Sequence, residues 1–230
     1  GIPYEFVPLD SSNRECEADN TKLANVIVKF ETWKEFPLST IVFSAHHDIA
    51  NPNSENCQDN TASVCNLIHL CTLLNKVSGE ELNQDVVIAF TDCEEIGGRG
   101  MNKLIEEIKD DKYGTVSNMY ALELTACGDE FWITGNDNES LMYTNLRDNI
   151  GDKTLEMVRT PYNESVNASR NGLPACCIGT LPLSEMNTAK ERGYCGTWGL
   201  CHSPNDTFER SANKDDMNNF VNILLNLVKI

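Results

Sequence analysis

Largely apolar runs occupy 24–30, 40–45, 85–91 and 118–124. Such runs read as strands buried on both faces, the usual condition in a parallel sheet. A fifth strand is expected at 173–180, entered through Gly172-Leu173-Pro174. Between the second and third strands the period changes. Across 61–77, Val64, Leu67, Ile68, Cys71 and Leu74 recur at helical spacing, and Leu70 and Leu73 widen the stripe. This helix is therefore expected to be largely buried, with His69 structural within it. A second amphipathic helix is expected at 98–110, through Met101, Leu104, Ile105 and Ile108. The clearest helix is at 213–228, where Met217, Phe220, Val221, Leu224 and Val228 share a face. Strands alternating with helices predict an α/β fold, its mainly parallel sheet covered on both faces.

A chain of 230 residues with 40% hydrophobic content can bury one sizeable core, and no repeat or linker divides it. A single domain over 1–230 is expected. No apolar stretch approaches the roughly 20 residues needed to cross a bilayer, so a soluble protein is expected. The net charge of −17, from 35 acids against 18 bases, repels phosphate backbones and anionic lipid heads. Neither nucleic acid nor membrane is an expected partner.

The ten cysteines include no Cys-x-x-Cys pair. Several fall in apolar runs, where a free thiol behaves as a small buried hydrophobe. A reducing, cytoplasmic setting is expected, although a chain that starts at Gly1 could have lost a secretory signal. Cys195 and Cys201, flanking a Gly-containing loop, are the pair expected to bridge if any does. Asn-x-Ser/Thr matches at Asn138, Asn163, Asn167 and Asn205 carry no inference in so Asn-rich a chain.

Glu94 and Glu95 follow the run 85–91 and precede Gly97-Gly98. Ligands of open α/β sheets gather beyond strand C-termini, so two carboxylates there are suited to hold a cation or move a proton. They equally suit a solvated helix start, where the dipole favours negative charge. The run 40–45 is followed by His46-His47-Asp48. Positions two apart share a face of an extended chain, so His46 and Asp48 can cooperate while His47 points away. A ligating histidine commonly donates its other ring N–H to a carboxylate. Asp59-Asn60 stands ahead of the helix at 61–77, where either residue could cap it or Asp59 could bridge two cations. His202 lies in a loop before the last helix. Two histidines with carboxylates form a donor set that suits zinc.

In this order and spacing, His46-His47-Asp48, Asp59-Asn60, Glu94-Glu95 with Gly97, and His202 with Asp206-Thr207 resemble the zinc aminopeptidase family. That family includes bacterial leucyl aminopeptidases, glutaminyl cyclases and the ectodomains of transferrin receptor type. The resemblance implies a three-layer α/β/α phosphorylase/hydrolase-like fold with a mixed, mainly parallel sheet and two zinc ions. It implies that His46 binds one zinc, that Asp59 bridges both, and that Glu95 and His202 bind the other. It implies further that Asp48 orients His46 and that a cis peptide joins Asp59 to Asn60.

Two positions depart from the family pattern. The fifth ligand, usually an aspartate, falls on Glu123 in one alignment and on Thr125 in another; Glu123, a carboxylate, is the reading adopted. Asn163-Glu164 replaces a family Ser-Asp. Tyr194 is a candidate oxyanion donor, or else an exposed loop tyrosine. The activity implied is removal of N-terminal residues from peptides, with Glu94 as general base to a metal-activated water. The alternatives are a single-zinc glutaminyl cyclase and a non-catalytic binding module of the same fold. A serine-nucleophile enzyme is not expected, since Gly-x-Ser-x-Gly is absent.

Overall fold

The computed structural model describes residues 1–9, 23–35, 39–134, 140–160 and 162–229. The match at Asn138 lies outside the described residues. The strands are β1 (Glu5–Pro8), β2 (Ala24–Phe30), β3 (Thr40–His46), β4 (Asp85–Thr91), β5 (Val116–Leu122), β6 (Glu130–Thr134), β7 (Leu155–Val158) and β8 (Ala175–Leu181). All eight belong to one sheet in the order β1-β2-β4-β3-β5-β8-β6-β7. The four central strands β4, β3, β5 and β8 run parallel. They are flanked by β2 and β6, both antiparallel to their inner neighbours.

Successive residues of the central strands face opposite layers, which is why their sequences are mostly apolar without alternation. Ile41, Phe43, Ile88 and Tyr120 meet Leu67, Leu70 and Leu74 of α1 (Ala62–Leu74), Leu146 of α3 (Leu141–Asn149) and Phe220, Val221 and Leu224 of α7 (Lys214–Val228). On the other face Val42, Val87, Ala89 and Met119 meet Met101, Leu104 and Ile105 of α2 (Arg99–Lys109) and Ala168 of α4 (Glu164–Arg170). Trp132, Cys177 and Leu181 pack on Met186 and Ala189 of α5 (Leu183–Arg192). The result is three layers, helices on both faces of a mixed sheet. A short α6 (Phe208–Ser211) leads into α7, whose start is fixed by the Asn213 side chain accepting from the backbone of Asp215 and Asp216.

The five expected strands are β2, β3, β4, β5 and β8, with small shifts at their ends. β5 stops at Leu122 rather than 124 because Leu124 takes a left-handed φ of 58°. β1, β6, β7 and α3 to α6 had no strong periodic signal: the strands are short and lie towards the sheet edges, and these helices are short or largely exposed.

The helix α1 corrects its expectation. It buries Ser63, Asn66, Leu67, Leu70, Cys71 and Leu74 against the sheet and α7, while Cys65, Ile68, His69 and Thr72 face solvent. The buried stripe runs beside Ile68 rather than through it, and His69 is exposed, not structural. Cys195 and Cys201 are unbridged; Cys195 is packed with Trp132 and Trp198. No helix among the described residues is long and apolar enough to cross a membrane.

Candidate metal centre

Three neighbouring parallel strands, β4, β3 and β5, end at one place, and the polar residues that follow each run converge there. His46 closes β3 opposite Thr91 of β4 and is 1% exposed. The chain leaves β4 through a tight turn in which the N–H groups of Gly97 and Gly98 both donate to the Glu94 carbonyl at 3.0 Å. Glycine is required at 98: φ is +64°, and a Cβ there would stand 2.4 Å from the Tyr162 hydroxyl. The Asp48 carboxylate anchors this turn, accepting the backbone N–H of Glu94 at 3.0 Å and of Glu95 at 3.1 Å. His46 Nδ1 stands 3.3 Å from Asp48 Oδ1, close but out of line for a hydrogen bond.

Asp59 lies in the turn Cys57–Thr61, whose Asp59–Asn60 peptide is cis. Two side chains hold this turn. The fully buried Asp206 carboxylate accepts the N–H groups of Gln58 at 2.9 Å and Asp59 at 3.3 Å. The Asn60 amide donates to the carbonyl of Leu122, the last residue of β5, at 2.8 Å. Asn60 is thus a tie between turn and strand, not a helix cap.

The turn presents the two oxygens of Asp59 to different histidines. Oδ1 is 3.0 Å from His46 Nε2, and Oδ2 is 2.9 Å from His202 Nε2. His46 Nε2 is also 3.7 Å from Glu123 Oε1, and His202 Nε2 is 3.3 Å from Glu95 Oε2. His202 has a left-handed φ of 61°, and its carbonyl accepts from Asn51 Nδ2 at 3.1 Å.

Glu123 and Thr125 do not share a face, contrary to the alternation expected of a strand, because the left-handed Leu124 intervenes. Glu123 lines the cavity with His46. Thr125 is fully buried, with its hydroxyl hydrogen-bonded to Ser63 at 2.8 Å and Asn66 at 2.9 Å. Tyr194 lines the same cavity but is 58% exposed and folds back over Gly199, where a Cβ would meet its hydroxyl at 2.1 Å. Sequence reasoning overlooked Tyr162, Trp132 and Trp198, which line the cavity; Glu164, noted there only as a departure from the family pattern, is buried. The tryptophans were findable, since large aromatics next to a site are common pocket walls.

Burial of so many acids shifts them together. Glu94 is pushed up to about 8, first by burial and then by the charges of Glu123, Glu164 and Asp59, with His46 opposing. Glu95 is raised by burial and Asp59, and Glu123 by burial against the opposing pull of His46. Glu164 rises to about 7, again mainly through burial. Burial works against protonated His46, but Glu123 and contacts with Asp48 and Asp59 outweigh it and hold its pKa well above the ordinary range. For Asp48, burial is overcome by His46 and the two backbone donors, so its pKa is lowered.

These shifts describe a site short of positive charge. Glu95 Oε1 is buried without a hydrogen-bond partner. Ligand atoms of His46, Asp59 and Glu95 lie within 4.8 Å of one another. Donors on one tetrahedral zinc at about 2.0–2.1 Å stand about 3.3 Å apart. The contacts of 2.9, 3.0, 3.3 and 3.7 Å among these donors bracket that spacing. The imidazole and carboxylate set therefore fits zinc.

The profile described as Peptidase family M28 matches residues 25–228. No curated protein sequence matches. Among solved structures, LapB from Legionella pneumophila superposes with a TM-score of 0.75 at 16% identity, covering 98% of this chain and 58% of that one. BSAP, a zinc aminopeptidase from Bacillus subtilis, gives 0.71 at 16% identity over 90% of this chain and 50% of that one. The aminopeptidase from Aneurinibacillus sp. strain AM-1 gives 0.71 at 16% identity over 90% of this chain and 48% of that one. The chain thus spans about half the length of these neighbours, and at such identity they share its fold.

Proposed function

The chain belongs to peptidase family M28, and from that premise we propose that it is a zinc-dependent aminopeptidase that removes N-terminal residues from peptides. One observation carries the reading: each oxygen of Asp59 faces its own histidine, at 3.0 Å for His46 and 2.9 Å for His202. That is the arrangement of a carboxylate shared by two cations. In this reading His46, Asp59 and Glu123 hold one zinc, and Asp59, Glu95 and His202 hold the other. Zinc so held would lower the pKa of a water towards ~7, polarise the scissile carbonyl and favour ionised Glu94.

Of the described acids that line the cavity, Glu94 is the one that no histidine contact claims, and it stands 8% exposed. It takes the proton of the attacking water and returns it to the leaving amine. Its sequence neighbour Glu95 is a ligand, so one turn supplies both an anchor and a base. Asp48 fixes that turn through two backbone N–H groups and stands 3.3 Å behind His46 Nδ1. The carboxylates around the cavity also suit the cationic amino terminus of a peptide.

Cyclisation of N-terminal glutamine would need only the Asp59, Glu95 and His202 donors. The paired His46 and Glu123 on the other side of Asp59 favour hydrolysis, as does a complete donor set over a non-catalytic module. The test is Glu94→Gln. Zinc content should stay at two ions per chain while turnover of aminoacyl fluorogenic amides falls by about 10²–10⁴-fold, the usual worth of a general base. Unchanged turnover would sink the assignment.

A further inference from the structure

The cavity beside the donor cluster has a volume of about 610 Å³, within the ~300–1,000 Å³ of small-ligand pockets. Apart from the cluster itself, none of the described lining residues carries a charge. The remaining walls are dominated by Trp132, Trp198, Tyr162 and Tyr194, with Leu124 and Cys177. Trp132 and Trp198 meet edge to face, with ring centroids 5.5 Å apart and planes at 69°.

This aromatic wall is held in place. Trp132 is fully buried and lies against Gly179, where a Cβ would stand 2.4 Å from the indole. The missing side chain at 179 therefore sets the depth of the floor. Trp198 is carried by the turn Trp198–Leu200. That turn is pinned to α5, where Glu185 Oε2 accepts the Thr197 N–H at 2.8 Å, and is closed by the Cys201 N–H donating to the Trp198 carbonyl at 3.2 Å.

We propose that this pocket selects peptides whose N-terminal side chain is aromatic, in preference to branched aliphatic ones, with Trp198 as the specificity-determining residue. The inference rests on the aminopeptidase reading and adds the substrate class. An acidic side chain would lie against the indoles and Leu124, with no cationic side chain among the described lining residues outside the cluster to pair with. A basic side chain could stack its charge on an indole, but it would find no carboxylate among the described lining residues outside the cluster to pair with. Among apolar side chains, an aromatic ring gains edge-to-face contacts that an aliphatic one cannot make, worth about three- to ten-fold.

Aminoacyl fluorogenic amides of Phe, Leu, Ala, Glu and Arg test this by their kcat/KM. Phe should exceed Leu by about three- to ten-fold, and Ala, Glu and Arg by about 100-fold. Trp198→Leu should bring the Phe/Leu ratio close to one, whereas Trp198→Phe should keep most of the preference. Binding of the Phe and Leu hydroxamates, followed by tryptophan fluorescence, gives a readout independent of turnover. Of the chain's three tryptophans, Trp132 and Trp198 line the cavity and Trp33 is 69% exposed. Selective Phe hydroxamate binding without any amide hydrolysis would keep the pocket inference and sink the peptidase reading. Hydrolysis that favours Leu, Arg or Glu, or a Phe/Leu ratio unmoved in Trp198→Leu, would overturn the pocket inference and leave the peptidase reading standing.

Discussion

The buried carboxylate of Asp206 accepts the backbone N–H of Asp59 at 3.3 Å. It also accepts the neighbouring N–H of Gln58 at 2.9 Å, so one side chain from the far end of the sequence holds the turn that carries Asp59. Asp206→Ala should leave these donors unsatisfied and lower unfolding stability by about 2–4 kcal/mol. On the proposed assignment Asp59 serves both donor sets, so zinc content should fall at both positions together. Denaturant melts and metal analysis check this; a variant of unaltered stability holding two zinc ions would disprove the role.

Glu123 and Thr125 separate cleanly by substitution. Glu123→Ala removes the donor beside His46, so zinc should drop from two ions to one per chain. Thr125→Val removes the hydroxyl that Ser63 and Asn66 bond to. It should lower stability by about 1–3 kcal/mol with zinc stoichiometry intact. Zinc loss in Thr125→Val with full retention in Glu123→Ala would reverse the assignment.

That pair also marks where the sequence stops being legible. The central strands were readable because burial on both faces makes them largely apolar runs, and α1, α2 and α7 because burial of one face imposes a period of 3.6. His46, Glu94 and Glu95 were readable because they stand just after such runs, whereas Asp59 and His202 were readable only through the order and spacing of the motifs. Strand alternation failed at Leu124, a non-glycine residue whose φ of 58° turns the chain between the two candidates. Nothing in a leucine announces that. The edge strands β1 and β7, each four residues long, lack enough positions to show a period. Asp206 was visible as part of a motif, but its task is a contact to residues far away in sequence, which local pattern cannot reveal.

Stability of the zinc-free protein should depend on pH through the raised acids. Glu94 has a folded-state pKa of about 8 and Glu164 of about 7, both above their unfolded value near 4.5. A pKa raised on folding means that the folded state holds the proton more tightly. The stabilising contribution is therefore complete below about pH 4.5 and is lost as pH rises through 7 to 8. Thermal melts after chelation should show Tm falling over that window. Glu94→Gln and Glu164→Gln should each flatten the fall, because a neutral amide has no proton to lose. Zinc favours the ionised acids, so the Tm gain on adding it should be larger at pH 8 than at pH 5. A Tm profile identical in wild type and both variants would exclude these two residues as its source.

Gly179 links the pocket floor to the donor cluster. A Cβ at this position would lie 2.1 Å from the Glu123 carbonyl oxygen as well as 2.4 Å from the Trp132 ring. The Glu123 carbonyl is main chain, and the Glu123 N–H is tied to the Ile178 carbonyl at 3.0 Å, so β8 and the exit of β5 cannot part without moving the Glu123 side chain. Gly179→Ala should therefore lower stability by about 1–3 kcal/mol through overpacking and also weaken zinc binding on the His46 side. Gly151→Ala provides the control. Its φ is +65° with open space around the missing Cβ, so it should lose about 1 kcal/mol from backbone strain. Zinc affinity should be unchanged there, because no donor lies nearby in the chain. Equal zinc affinities in Gly179→Ala and Gly151→Ala would show that the floor of the pocket and the position of Glu123 are independent.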